Sequence, residues 1–353
     1  RRRYATGDID DAEFEERRAR LSGLRSGSSA GARPIPGGYA GFLAAGAPED
    51  WPEPEAVLRF GASPTSKPLR KYLAGTDARQ LLVDPAGGWR EAEFTATDLI
   101  VADPSRERAT QPRRVGQRGG AGGAPDSTAW RERWEAAEAA HWDAVDAAVD
   151  GGRVFEGRVL ADVTELAPEP STVFVSNSMP VRDADRFAAS AATGLTMLGN
   201  RGASGIDGIV STALGAGSAT TDALTLVTGD LAYYHDMNGL LALERCGVDA
   251  TVVLINNDGG GIFHMLPIEE FDPPFTGQFK TPHDLDFEPT GELYDLSFAR
   301  VDGDDREGFR DLYCESTASA GTDVIEVVSD AEASHRVREA LADEVAERVA
   351  ALD

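Results

Sequence analysis

Short apolar runs alternate with helix-like stretches through most of the chain. In the first half, three runs have the length and the polar boundaries of strands: AVLRFGAS from Ala56, ARQLLVD from Ala78 and DLIVADP from Asp98. Between the first two, SKPLRKYLA from Ser66 has helical spacing and a proline that suits the start of a helix. Strands that alternate with helices predict a small parallel, doubly wound domain.

Five further apolar runs in the second half predict a larger sheet of buried strands. These runs are STVFVSNS, LTMLGN, ALTLVTGD, DATVVLINND and TDVIEVVSD, and an amphipathic stretch from Ala331 closes the chain as a helix. The predicted fold class is therefore α/β, with two doubly wound parallel-sheet domains. Ligands of such sheets bind at the carboxyl ends of the strands, which is where we expect the functional site.

The same pattern divides the chain into three parts. Residues 1–50 are charged and then rich in Gly, Ala and Pro, which predicts a solvated segment and a connector. Residues 51–127 form the predicted central α/β domain. It ends in a flexible linker from Pro104 to Ser127, because this stretch contains GGAGG and no apolar periodicity. Residues 128–353 form the predicted second domain, which opens with a helical apolar stripe predicted to pack in a core: Trp130, Trp134, Ala137, His141 and Val145.

Acidic residues outnumber basic residues by 60 to 34, which gives a formal net charge of −26. This balance opposes binding to nucleic acid or to anionic lipid. It favours a protein kept soluble in concentrated salt, in the cytoplasm of a halophile, over an ordinary acidic protein of a mesophile. No run of about 18 apolar residues is present, so we expect no membrane span.

The cysteines, two of the histidines and the start of the chain carry little predicted chemistry. Cys246 and Cys314 lack metal-ligand spacing and are predicted to be core thiols. His235 and His264 are predicted to be structural. The chain starts at Arg1 rather than at methionine and has no apolar stretch behind it, so we expect a fragment or a processed chain without a secretory signal.

A Gly-Asp pair and an Asn pair end two of the predicted strands, with Asp230 and Asn257 separated by 27 positions. A helix and a strand fill that interval, so both side chains should meet at neighbouring strand ends. Mg²⁺ prefers oxygen ligands and takes few carboxylates, often with phosphate oxygens. Asp230, the amide oxygen of Asn257 and the carbonyl of Gly259 therefore predict a metal site. The helix start after Gly229 would favour a diphosphate beside it.

This segment resembles the metal and diphosphate motif of thiamin-diphosphate enzymes, which begins GDG in most members and ends in two asparagines. Here the third position is Leu231 and HDMNGLLAL follows. That departure is similar to one branch, the 2-succinyl-5-enolpyruvyl-6-hydroxy-3-cyclohexene-1-carboxylate synthases of menaquinone biosynthesis. SNSMPVRD from Ser176, GNRGASGIDGIVSTA from Gly199 and NNDGGGIFHMLP from Asn256 also resemble that branch. The resemblance covers roughly residues 55–275 and implies two parallel-sheet domains of the thiamin-diphosphate enzyme type.

The resemblance implies thiamin diphosphate and Mg²⁺, or Mn²⁺, as cofactors. Asp230, Asn257 and Gly259 would hold the metal, and the implied cofactor contacts are Gly229, Asp230, Leu231, Ile206, Asn257 and Gly259. Ile206 resembles the bulky catalytic residue that props thiamin in its bent form. A plain core isoleucine is an equally good interpretation of that position.

The resemblance further implies a carboligase. Such an enzyme decarboxylates 2-oxoglutarate and adds the resulting succinyl semialdehyde carbanion to isochorismate. Both substrates are dicarboxylates, and a guanidinium pairs with a carboxylate through two hydrogen bonds. The positions that resemble substrate-binding residues are Ser178, Arg182, Arg201, Lys67, Ile262 and Leu266, and Phe263 resembles part of the catalytic apolar wall over the reacting carbons. A solvated lysine is an equal alternative for Lys67, and core packing is the alternative for the apolar residues.

One group required by thiamin chemistry is missing from these motifs. Thiamin enzymes need an acid beside the aminopyrimidine, normally a glutamate of a pyrimidine-binding domain. Residues 1–50 are too short to form that domain, so we expect the chain to lack it. Family analogy predicts a homodimer or tetramer, and a separate pyrimidine-binding chain would complete the site. The alternatives are another thiamin-dependent decarboxylase or acetolactate-type synthase, and a catalytically silent cofactor-binding subunit.

Overall fold

The computed structural model describes residues 37–44, 51, 53–103, 127–188 and 194–352. The charged segment predicted at the start of the chain and nearly all of the predicted linker lie outside these residues. Within them the chain forms two separate parallel sheets, one of three strands and one of six. The predicted fold class is confirmed, whereas the domain boundaries stay a prediction.

The smaller sheet is the one predicted from the first apolar runs. It contains β1 (Ala56–Phe60), β2 (Arg79–Val83) and β3 (Asp98–Ile100), all parallel and in that order. Helix α1 (Tyr39–Ala44) precedes it, and α2 (Lys67–Gly75) connects β1 to β2. α2 begins at Lys67 because the hydroxyl of Ser66 accepts a hydrogen bond from the N–H of Leu69, at 3.3 Å.

The larger sheet has the strand order β5-β4-β6-β7-β9-β8, and every neighbouring pair is parallel. The strands are β4 (Ser171–Val175), β5 (Leu195–Leu198), β6 (Ala223–Gly229), β7 (Ala250–Asn256), β8 (Ser297–Asp302) and β9 (Thr322–Val328). The central strands β4, β6 and β7 are almost fully buried, as their continuous apolar runs predict.

The two edge strands depart from the sequence prediction. β5 is predicted to be buried, which is wrong: Met197 and Leu198 are 44% and 39% exposed, because one side of this strand has no neighbour. β8, whose sequence is SFARVD, is missing from the predicted strands. It lies at the other edge of the sheet, and Val301 is its only buried residue. An edge strand does not need the continuous apolar run of a central strand, and the sequence SFARVD does not have one.

Helices cover both faces of the larger sheet. The α-helices of this part of the chain are α3 (Ser127–Asp150), α4 (Gly157–Leu166), α5 (Met179–Phe187), α6 (Ile209–Gly217), α7 (Asp230–Asp236), α8 (Ala242–Cys246), α9 (Pro289–Tyr294), α10 (Arg306–Ala318) and α11 (Ala331–Ala350). Residues of α6 and α7 form the core on one face, and residues of α4 and α10 form the core on the other. Among the described helices, none is both long enough and apolar enough to cross a membrane.

The apolar stripe of α3 packs as predicted. Trp134, Ala137, His141 and Val145 are buried, and the cluster around Trp134 joins α3 to α1 and to the end of α11. The prediction for the cysteines is wrong, because Cys246 and Cys314 are both exposed. They lie on α8 and α10, on helix positions that the cores on either face of the sheet do not include.

Gly41→Ala is expected to destabilise the contact between α1 and α3. An added Cβ would lie 2.3 Å from Cε1 and Nδ1 of His141. That ring is buried and its Nε2 donates to the carbonyl of Arg186 at 2.9 Å, so it cannot move aside freely. Such overpacking costs about 1–3 kcal/mol. As a control, Gly215→Ala in α6, where a Cβ meets nothing within 4 Å, should stabilise the fold by about 0.5–1 kcal/mol. Urea unfolding measures both, and a Gly41→Ala midpoint equal to that of the parent would contradict this packing.

Candidate cofactor and metal site

The strand order reverses between β4 and β6, and open parallel sheets bind their ligands at such a reversal. From β4 the chain runs to β5 on one side and then returns past β4 to β6 on the other. Helix α5 therefore packs on one face of the sheet and α6 on the opposite face. The carboxyl ends of β4, β6 and β7 carry Ser178, Asp230 and Asn257 beside this crevice.

Asp230 is the first residue of α7 and is only 3% exposed. Its Oδ1 accepts a hydrogen bond from the N–H of Leu231 at 2.6 Å. Its Oδ2 accepts from the N–H groups of Asn257 at 3.2 Å and Gly259 at 2.9 Å. Burial raises the pKa of the Asp230 carboxyl, and the N–H groups of Gly259 and Leu231 act in the opposite direction. The fold thus brings the three predicted metal-site residues together.

Asn257 has an acceptor that no group in the described part of the chain uses. Its Nδ2 donates to Oε1 of Glu156 at 2.6 Å, while its Oδ1 is buried without a hydrogen-bond partner. A buried carbonyl oxygen left unpaired costs free energy unless a ligand satisfies it. A hard cation beside Asp230 would do so, and the residues present therefore fit Mg²⁺.

The site offers only one carboxylate. The described ranges contain no group of three or more His, Cys, Asp or Glu side chains that could hold a metal. Asp230, the amide oxygen of Asn257 and the carbonyl of Gly259 would leave an octahedral Mg²⁺ short of ligands. Phosphate oxygens and water usually fill such positions, so this donor set suits a metal that arrives with a diphosphate.

Gly259 lies where the chain permits no side chain. Its φ is +129°, and a Cβ would lie 2.1 Å from the carbonyl oxygen of Lys280. That same oxygen accepts a hydrogen bond from the N–H of Gly260 at 2.7 Å, so the segment around Lys280 is held directly against the glycines. The glycine run after β7 is therefore required by close backbone approach as well as by its conformation.

His283 is a neighbour of Asp230 that the sequence patterns do not reveal. Its Nε2 lies 3.2 Å from Oδ2 of Asp230 but lacks the alignment of a hydrogen bond. Its Nδ1 accepts from the N–H of Leu285 at 3.0 Å, which places the proton of the neutral ring on Nε2. The residue follows a loop without apolar periodicity, so no sequence signal could have indicated it.

Both predicted substrate arginines lie near the end of β4. Nη1 of Arg182 donates to the carbonyl of Ser178 at 2.5 Å, and Nη1 of Arg201 donates to Oδ1 of Asn177 at 2.8 Å. Ser178 itself has a φ of +70°, unusual for a residue with a side chain. Burial lowers the pKa of Arg182, and the charge of Arg201 adds to that effect. A bound carboxylate would relieve this repulsion between cations.

A cavity of about 930 Å³ lies between α1, the start of α2, α5 and the turn after Gly260. Five of the predicted site residues line it: Lys67, Arg182, Ile262, Phe263 and Leu266. Its wall also carries Arg70, Lys71 and Arg186, and basic side chains outnumber the two carboxylates there, Glu53 and Asp185, in a chain whose net charge is −26. Ser178, Arg201 and Ile206 are not part of this wall. A basic cavity of this size suits small anionic ligands.

The other predicted positions are Ile206, the two residues beside Asp230 and two histidines. Ile206 is 40% exposed, so its interpretation as a core isoleucine is wrong. Gly229 and Leu231 flank Asp230 and are partly buried. His235 contacts the carboxylate of Asp207, and His264 is hydrogen-bonded to Glu269 at 2.7 Å, as structural histidines commonly are.

Comparison with curated proteins finds relatives named 2-succinyl-5-enolpyruvyl-6-hydroxy-3-cyclohexene-1-carboxylate synthase. The chain is 56% identical over 361 residues to the protein of Haloquadratum walsbyi and 62% identical over 326 residues to that of Halobacterium salinarum. A protein of the same name from a Roseiflexus species is 43% identical over 324 residues. These matches cover 93%, 92% and 91% of the chain. The chain belongs to this synthase family.

The chain spans about half the length of these synthases, since the matches cover 57%, 53% and 53% of them. No protein-family model matches it. Membership of the synthase family therefore rests on these relatives, whose matches cover over nine-tenths of the chain.

Proposed function

We propose that this chain is the larger part of a thiamin-diphosphate-dependent and Mg²⁺-dependent carboligase of menaquinone biosynthesis. The reaction would decarboxylate 2-oxoglutarate and join the remaining four-carbon unit to isochorismate, forming 2-succinyl-5-enolpyruvyl-6-hydroxy-3-cyclohexene-1-carboxylate. The name of the relatives supports this product. Mn²⁺ has the same preference for oxygen ligands and would serve as a substitute metal.

The observation that carries the proposal is the buried, unpaired Oδ1 of Asn257 beside the carboxylate of Asp230. Asp230, Asn257 and the carbonyl of Gly259 would hold the metal. Gly229 and Leu231, at the start of α7, would lie along the diphosphate, where the helix N-terminus favours negative charge. When bound, thiamin diphosphate supplies the electron sink that lets a 2-oxo acid lose CO₂.

The chain's own residues would orient the substrates and exclude water. Lys67 and Arg182 lie in the wall of the cavity, where their charges can hold substrate carboxylates. Ile262, Phe263 and Leu266 form an apolar part of the same wall, which keeps water from the reacting carbons. Ser178 and Arg201 would contact substrate from the end of β4, and the exposed Ile206 would support the bent cofactor.

The quaternary and cellular parts of the proposal rest on family analogy and charge. The proposed assembly is a homodimer or tetramer, and a pyrimidine-binding domain would supply the acid beside the aminopyrimidine, from a separate chain if need be. The net charge of −26 supports a protein of a halophilic cytoplasm without nucleic acid or membrane partners.

Arg182→Ala is expected to raise the KM for 2-oxoglutarate by about 10- to 100-fold, with a smaller effect on kcat. Without the half-buried guanidinium, the substrate carboxylate would lose a charge-assisted hydrogen bond worth about 1.5–3 kcal/mol. The control is Arg131→Ala, which removes an exposed arginine paired with Glu135 on α3. Steady-state kinetics of both variants, each joined to a thiamin-enzyme pyrimidine-binding domain, measure the effect. Equal KM values for 2-oxoglutarate in the two variants would remove Arg182 from the substrate site.

The reaction itself is tested by joining the chain to a thiamin-enzyme pyrimidine-binding domain and measuring CO₂ release from 2-oxoglutarate, with and without isochorismate. The proposal requires release that depends on thiamin diphosphate and Mg²⁺, with the synthase product formed when isochorismate is present. Release from pyruvate instead would support an acetolactate-type synthase. Cofactor binding without release from either acid would support a catalytically silent subunit.

A further inference from the structure

Glu156, the residue before α4, contacts the candidate metal site from behind. Its side chain is 2% exposed, and its Oε1 accepts hydrogen bonds from Nδ2 of Asn257 at 2.6 Å and from the hydroxyl of Ser329 at 3.2 Å. Its Oε2 accepts from Nη2 of Arg338 at 2.6 Å. Among the described residues, each side chain that hydrogen-bonds to this carboxylate is therefore a donor.

This set of donors determines which way the amide of Asn257 faces. Both oxygens of this carboxylate act as acceptors, so the carboxylate pairs with Nδ2 and opposes the approach of Oδ1. Turning the amide over would place two acceptor oxygens about 2.6 Å apart, the distance that now separates Nδ2 from Oε1. Oδ1 is consequently held on the side away from Glu156, where it is buried and unpaired.

Arg338 holds Glu156 in this position. The guanidinium, on α11, pairs with Glu156 and also with Asp183 through Nε at 2.8 Å and Nη2 at 2.5 Å. All three side chains are at most 4% exposed. Asp183 follows Arg182 on α5, so one buried ionic network joins the metal-ligand strand end to the helix that carries a candidate substrate arginine.

We infer that Glu156 is a positioning residue: its carboxylate, anchored by Arg338, fixes the amide of Asn257 so that Oδ1 faces the metal. The inference rests on the proposed cofactor site and adds a residue that the motif does not contain. Partners that orient metal ligands typically change metal affinity by about 10- to 100-fold when they are replaced.

The test uses Mg²⁺ and thiamin diphosphate as probes in calorimetry. Glu156→Gln should weaken Mg²⁺-dependent binding of thiamin diphosphate by about 10- to 100-fold, because the new amide cannot serve both Asn257 and Arg338 as an acceptor. Asn257→Asp alone should also weaken binding, because it sets two carboxylates against each other. The matched control is Asp162→Asn, which removes another buried carboxylate, paired with Arg306 and Arg310, and should leave the affinity unchanged.

The double variant Glu156→Gln/Asn257→Asp separates orientation from general stability. It keeps the net charge and reverses the hydrogen bond, since the glutamine would donate to the new aspartate and still accept from Arg338. We expect the affinity of the double variant to lie within about threefold of the parent affinity. If the two single effects were independent, their fold-losses would multiply and the affinity would be far lower. If Glu156→Gln only damaged the structure, the double variant would bind thiamin diphosphate no more tightly than the weaker of the two single variants.

A measurement on the unaltered chain guards against variants that fail to fold. The side-chain amide protons of Asn257, observed by NMR, should exchange slowly with water both before and after Mg²⁺ and thiamin diphosphate are added. The inference is overturned if these amide protons exchange fast. It is also overturned if Glu156→Gln binds with the affinity of the parent, or if the double variant does not recover affinity. Failure of the parent chain to bind the cofactor would instead count against the proposed function.

Discussion

Asp230→Ala should abolish Mg²⁺-dependent binding of thiamin diphosphate, a loss of about 100-fold or more in affinity. Asp230 supplies the only carboxylate among the three groups placed to hold the metal, and it is only 3% exposed. Isothermal calorimetry with saturating Mg²⁺ measures the loss directly.

Two further variants control that result. Asp230→Asn keeps the shape of the side chain and one acceptor for the surrounding N–H groups, so it should fold and still lose most of the affinity. Asp249→Asn removes an exposed charge at the opposite end of the sheet and should bind like the parent. Thermal unfolding gives a second readout, because ligand at about 100 times its Kd stabilises a protein by about 2.7 kcal/mol. If the Asp230 variants bind with the affinity of the parent, Asp230 is not a metal ligand.

Gly259→Ala is the substitution expected to damage both the fold and the site. The new Cβ would overlap the carbonyl oxygen of Lys280 at 2.1 Å, and a φ of +129° is strained for any residue with a side chain. We expect the free energy of unfolding to fall by about 3 kcal/mol or more, and cofactor binding to be lost with it.

Gly277→Ala is the matched control for Gly259→Ala. It lies in the turn Thr276–Lys280 that packs against Gly259, yet a Cβ there meets nothing within 4 Å. Urea unfolding should show a midpoint close to that of the parent for Gly277→Ala and a much lower one for Gly259→Ala. Equal midpoints would mean that the segment around Lys280 does not press on Gly259.

The central strands and the metal residues could be predicted from local sequence because they follow simple rules. β6 and β7 are continuous apolar runs, and Asp230 and Asn257 follow them at the edge where a parallel sheet binds ligands. The edge strand β8 has no continuous apolar run. Its place in the sheet depends on pairing with β9, which local sequence does not indicate. The exposure of the two cysteines depends in the same way on how each helix is rotated.

The supporting residues of the site could not be predicted, because they are assembled from distant parts of the chain. Glu156 precedes α4, Arg338 lies on α11 and His283 lies in a loop, and none belongs to a motif. Their chemistry arises only when the fold places a carboxylate 2.6 Å from the amide of Asn257 and an imidazole 3.2 Å from Asp230. Sequence indicates the ligands, whereas packing determines what orients them.

The most direct test of the central proposal is calorimetric titration of this chain with thiamin diphosphate, in the presence of Mg²⁺ and then in the presence of EDTA. Concentrated KCl should be used, since it screens the net charge of −26. The proposal predicts one binding site per chain with Mg²⁺ and no measurable binding with EDTA, because the single carboxylate of Asp230 cannot hold the diphosphate without the metal. Absence of binding with Mg²⁺, or binding that EDTA leaves unchanged, would contradict it.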